Sequence, residues 1–146
     1  MASTQAESLS VLYEQDETAW LEVMADLVAQ RRNAELDHLH LSEFLADMTK
    51  RDRREVYSRL VILMSHLLKW QHQPNQRSGS WRGTIREQRR ELRQLLESET
   101  LRNHAQSVLL DALGEARKQA SDETELSLGT FPQECAWELD ELLSEE

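Results

Sequence analysis

Proline and glycine are scarce, two and four residues among 146, so few built-in breakers divide this chain. Cysteine is scarcer still. Cys135 stands alone, and no intrachain disulfide can form. Aromatic residues make up 5%, and valine and isoleucine are few, which leaves little material for strands. Long apolar runs are also missing. No window approaches the roughly 20 apolar residues of a membrane span. Met1 to Ser10 holds no basic stretch followed by an apolar one, so no secretory signal is expected. A single cysteine with no export signal makes a reducing, cytoplasmic setting the expectation.

What is present favours helix. Leu, Glu, Arg, Ala and Gln dominate, and all are good helix formers. A chain of 146 residues is expected to fold as one domain without a metal or disulfide staple. The net charge of −10 conceals a pattern. Residues 1–49 carry ten acids against Arg31 and Arg32. Residues 50–102 carry thirteen Lys and Arg against six acids. Residues 103–146 return to eleven acids against Arg117 and Lys118. The order is acidic, basic, acidic.

Three- and four-residue spacing of apolar positions predicts a first helix over about residues 12–32, through Tyr13, Trp20, Met24, Leu27 and Val28. Asp16 falls in the middle of that apolar face. Asp37 is placed to cap a second helix running to about Met48, with Leu41, Phe44, Leu45 and Met48 as its stripe. A third, from about Lys50 to Gln73, has a stripe wide enough for a central position in a bundle. Pro74 to Gly79 ends it, and Ser78 or Ser80 can cap a fourth helix reaching about Glu97. On that helix Arg82, Arg86, Arg89 and Arg93 form a row beside the apolar face. A fifth helix, about Leu101 to Ala120, uses small residues that permit close approach. The fold expected is all-α: an antiparallel bundle of four to five helices over residues 1–125. Residues 126–146 form a docking tail of the same domain, ending in a short amphipathic helix with Trp137, Leu139, Leu142 and Leu143.

Several of these residues form a recognisable pattern. Tyr13-x-x-Asp16-x-x-x-Trp20, Leu36-Asp37 with Glu43, His66-Leu-Leu-Lys-Trp70, and Ser80-Trp81-x-x-Thr84-Ile85 with Arg89 resemble the bacterial domain-of-unknown-function family number 29. The likeness runs through Phe131-Pro132 and Cys135. It departs at His40, where members often carry Asn, at Phe44 in place of a second acid, and at Ala136 in place of a frequent Pro. The resemblance implies a helical bundle and no particular function.

Three groupings bear on chemistry. Asp16, with His66, Lys69 and Arg89, reads either as an acid–base or ligand-gripping cluster between helices or as an ion pair that fixes helix register. The ion pair is preferred, with Arg89 as the expected partner of Asp16. Among the five histidines, Asp37-x-x-His40 and His40-x-x-Glu43 are the nearest approach to metal-ligand spacing. Both are loose, His40 and His72 read as surface residues, and neither metal nor cofactor is expected. The basic middle, Lys50-Arg51-x-Arg53-Arg54 and the Arg82–Arg93 row near Trp81, fits phosphates. The net charge opposes a polyanion, and neutralisation by the flanking acidic segments is the preferred account. No catalytic residue is assigned. Cys135 has no histidine near it in sequence, and no Gly-x-Ser-x-Gly turn or glycine-rich phosphate loop occurs.

The expectation is therefore a non-catalytic protein-interaction module with a detachable tail, Phe131 to Leu143, whose partner is another protein or a second copy, and with no membrane role. An enzyme or small-ligand binder using Asp16, His66, Lys69 and Arg89 is the alternative, and nucleic-acid binding through the basic centre is a third.

Overall fold

In the computed structural model, which describes the backbone of residues 2–145 and the side chains of residues 8–145, Asp16 interrupts the first periodic segment. It lies between α1 (Ala2–Gln15) and α2 (Glu17–Ala29), with φ −153° and ψ 87°. Its carboxylate accepts the Ala19 N–H at 3.1 Å, so it caps α2. An acid on an apolar face thus becomes an exposed acid at a helix start, where free N–H groups and the helix dipole favour it. Arg31 closes α2 in the left-handed region at φ 57°. There the Arg31 N–H reaches Val28 O and the Arg32 N–H reaches Leu27 O, each at 3.0 Å, which satisfies carbonyls the helix leaves free.

The expected second and third helices are one element, α3 (His38–His72, 35 residues). No Gly or Pro stands between Met48 and Arg54, and Thr49 Oγ1 bonds back to Ala46 O at 2.7 Å rather than capping a new helix. Asp37 starts α3 by accepting the His40 N–H at 3.3 Å. Ser78 Oγ accepts the Trp81 N–H at 3.2 Å and caps α4 (Gly79–Leu95). Ser98 caps α5 (Glu99–Thr124), and α6 (Leu139–Leu143) closes the fold. The chain is an all-α helical bundle with a short C-terminal helix; among the described residues it has six α-helices and no strand. The segment Met1 to Ser10, where no secretory signal is expected, has its first seven side chains outside the described ones.

Two compact units divide at Lys50 and Arg51. In the first, Leu9 of α1 and Trp20, Met24 and Leu27 of α2 are buried, with Tyr13, Leu36, Leu41 and Phe44 packed against them. In the second, the core combines Val56, Leu60, Leu63, Met64 and Leu68 of α3 with Ile85 and Leu92 of α4. Ala105, Ala112, Ala116 and Ala120 of α5 are fully buried, and their small side chains let that helix approach closely.

The tail is docked on the second unit. Phe131, Leu139 and Leu142 are at most 1% exposed and belong to the second unit's core. Arginines hold its backbone. Arg117 donates to Phe131 O at 3.2 Å and to Leu128 O at 3.0 Å. Arg89 donates to Leu142 O at 2.8 Å, and Arg93 to Leu143 O at 2.9 Å. The last two fill the C-terminal carbonyls of α6, which have no partner within so short a helix. Burying a tail with unmet carbonyls would be costly, and the basic row removes that cost.

Candidate functional site

The first unit centres on a polar network. Asp37 and His40, 7% and 8% exposed, face one another, with His40 Nδ1 2.8 Å from Asp37 Oδ2. The Trp20 indole N–H donates to the same oxygen at 3.2 Å. Together with the His40 backbone N–H, these donors satisfy a buried carboxylate without an arginine or lysine. The Tyr13 ring lies on the imidazole, with centroids 4.3 Å apart, and meets Trp20 edge-on at 4.8 Å. His40 is therefore a core residue, not a surface one.

Ser10 Oγ also approaches His40, at 3.2 Å, but at Nδ1. A serine activated by a His–Asp pair must sit on the ring nitrogen opposite the carboxylate. Here serine and aspartate share one nitrogen, so the trio fixes helices rather than generating a nucleophile. On the other side, His40 Nε2 stands 3.9 Å from Glu14 Oε1.

The second unit holds the remaining titratable groups singled out from the sequence. Lys69, 5% exposed, donates to Glu123 Oε2 at 2.5 Å, and its Nζ lies 5.1 Å from the Trp81 ring. Burial works to raise the Glu123 carboxyl, but hydrogen bonds from Lys69 and Gln119 override it and hold the pKa below the usual range. His66 donates Nδ1–H to Ile62 O at 2.9 Å. Burial, with a further push from Lys69, lowers its pKa. His66, Lys69 and Glu123 thus share one neighbourhood. Arg89 is turned to the tail, and Asp16 is the exposed cap of α2 in the first unit. Among the described residues, no three His, Cys, Asp or Glu side chains gather closely enough to hold a metal ion.

An open cleft of about 710 Å³ lies between α3, α4 and the tail, entirely within the second unit. Leu67, Trp70 and Ile85 line it, Trp137 and Glu141 come from the tail, and Arg82, Arg86, Arg89 and Arg93 run along one wall. Of the four residues in the sequence-derived cluster, Arg89 lines this cleft. Burial, and then the neighbouring Arg93, lower its pKa from the usual value. Arg93 pairs with Glu145 at 3.1 Å. Arg82 and Arg86 have no carboxylate within ion-pair distance among the described residues. Arg82 lies 5.6 Å and Arg77 4.8 Å over the Trp70 ring. The basic centre is therefore only partly neutralised by acidic segments: Lys69–Glu123, Arg93–Glu145 and Arg102–Asp140 join it to the last one, and the outer end of the arginine row stays open.

The family model for the domain of unknown function DUF29 matches residues 12–146. The chain belongs to the DUF29 family. No curated protein and no solved structure matches it. In this DUF29 chain several of the residues that carry the resemblance fall in two places, while Asp16 stands apart as the cap of α2. Tyr13, Trp20 and Asp37 meet in the first unit's network. Lys69, Trp70, Trp81 and Arg89 sit in or beside the second unit's cleft.

Sequence reasoning missed two things. The sequence alone makes His40 look exposed, yet it is the third residue of a helix capped by Asp37, where a ring reaches back to the capping carboxylate, and a buried Trp20 needs an acceptor for its N–H. Trp137 as a cleft wall was missed as well, because nothing local in sequence places the tail beside α4.

Proposed function

We propose that this chain is a non-catalytic protein-interaction module whose working face is the arginine-lined cleft of the second unit. One observation carries the reading. Arg82 and Arg86 stand exposed in an open cleft beside two tryptophans, with no carboxylate to answer them among the described residues. Arginine and tryptophan are the side chains that most often dominate binding energy at interfaces. The titratable groups elsewhere support it indirectly, because Lys69 and Glu123 satisfy each other and the Asp37–His40 pair is enclosed. A bacterial, cytoplasmic setting belongs to the same reading, and the lone Cys135 fits a reducing compartment. Interaction through the tail, as expected from sequence, becomes interaction through a face the tail helps to build.

The test places a photo-crosslinking amino acid at position 86 of the full chain in its native cells, with the exposed α5 position 106 as control. Adducts to a protein, including a second copy, from position 86 alone support the reading. Adducts to nucleic acid, equal adducts from both positions, or none at all refute it. Single-stranded nucleic acid is the second reading, favoured by Trp70 and Trp137 flanking the same row.

A further inference from the structure

The geometry points to a definite occupant for the cleft, an extended acidic peptide segment with Asp or Glu at alternate positions. This rests on the interaction reading above and names the chemistry of the partner.

The spacing comes first. Arg82 and Arg86 are one helical turn apart, about 6 Å along the axis at 1.5 Å per residue. Alternate side chains of an extended chain repeat at about 6.6–6.8 Å, so carboxylates at positions i and i+2 meet the two guanidinium groups in turn. The residue between them turns the other way. The floor beside the row offers Leu67, Trp70 and Ile85 to bodies of aliphatic or aromatic character.

The second observation is that the row already holds acidic peptide. Beyond Arg86, Arg89 takes the Leu142 carbonyl, while Arg93 takes the Leu143 carbonyl and the Glu145 carboxylate. Backbone oxygens and a glutamate of the chain's own tail thus occupy one end of the row, and the other end offers the same donors unused. A cation–π contact of Arg82 with Trp70, 5.6 Å to the ring centre, favours a guanidinium position over the cleft before any carboxylate arrives, which lowers the ordering cost of binding.

The charge balance separates this occupant from nucleic acid. Glu141 and Glu145 line the cleft alongside the arginines at its inner end. A polyanion with a charge at each nucleotide must run past those carboxylates. A peptide with two or three acids confines its charge to the open end.

The full chain is titrated, by calorimetry and tryptophan emission, with a six-residue peptide alternating glutamate and valine, three of each. Controls are a peptide of equal composition with its glutamates in one block, one with glutamine for glutamate, and an eight-nucleotide oligothymidylate. One-to-one binding is expected, weakened at least about tenfold in Arg86→Glu and in the Arg82→Gln, Arg86→Gln pair, and retained in part by Arg86→Lys. Helical circular dichroism confirms that each variant is folded. The block peptide should bind more weakly and the glutamine peptide hardly at all. Absent binding of the alternating peptide, binding unaffected by the variants, a block peptide that binds equally well, or an oligonucleotide that binds as tightly would each overturn the inference. A protein adduct at position 86 without peptide binding would sink the acidic-peptide occupant and leave the interaction reading standing.

Discussion

Replacing Asp37 by alanine should be among the most damaging single changes in the first unit. The carboxylate caps α3 through the His40 N–H and accepts the Trp20 indole N–H and the His40 ring, all out of water. Loss of a cap costs about 1 kcal/mol. Each buried donor left without an acceptor adds about 1–3 kcal/mol. With two such donors, the total is about 3–5 kcal/mol once partial rearrangement is allowed. Asparagine keeps one oxygen and so serves either the cap or the ring pair, and Asp37→Asn should cost about half as much. Urea denaturation followed by circular dichroism, comparing midpoints at constant slope, measures both. A double-mutant cycle with Trp20→Phe should show coupling above about 0.5 kcal/mol. A loss below about 1 kcal/mol for alanine, or equal losses for alanine and asparagine, would show that Asp37 does not serve these donors.

Asp16→Ala should cost only about 1 kcal/mol in the same urea measurement, the loss of an exposed cap, where a buried ion pair would cost about 3–5. Leu142→Ala removes a fully buried side chain and should cost about 2–5 kcal/mol by the same method. His66 has a folded pKa below its ordinary value of 6.5. The unfolded chain therefore takes up a proton first, and the stability present above that value falls as pH drops through 6.5 toward the depressed pKa. His66→Gln should flatten that part of the stability–pH curve; an unchanged slope would assign it to other groups.

The local periodicities of this chain were readable because they report a single helix at a time. Leu60, Leu63 and Leu68 announce the core face of α3, and Ala105, Ala112 and Ala116 that of α5. Boundaries were harder. The polar run around Lys50 looked like a gap, yet contains no residue that breaks a helix, whereas Asp16 looked buried yet prefers to cap. The candidate site was least legible. Arg82 to Arg93 were visible as a row, but their division into arginines that hold the tail and arginines that face an open cleft depends on where residues 137–145 dock. That is decided by contacts about fifty residues apart in sequence, such as Arg89 to Leu142.

That one arginine row both holds the tail and lines the cleft has a temporal consequence. Residues 131–145 are synthesised after every other element of the second unit, and until they arrive Arg89 and Arg93 have no tail carbonyls to hold. Until then the cleft also lacks Trp137 and Glu141, which the tail contributes to it. A chain that ends before residues 131–145 therefore lacks Phe131, Leu139 and Leu142 from its core as well as the acceptors of its two inner arginines. Docking of α6 completes the core and engages Arg89 and Arg93 together, so the inner half of the row takes its final arrangement in the step that closes the fold.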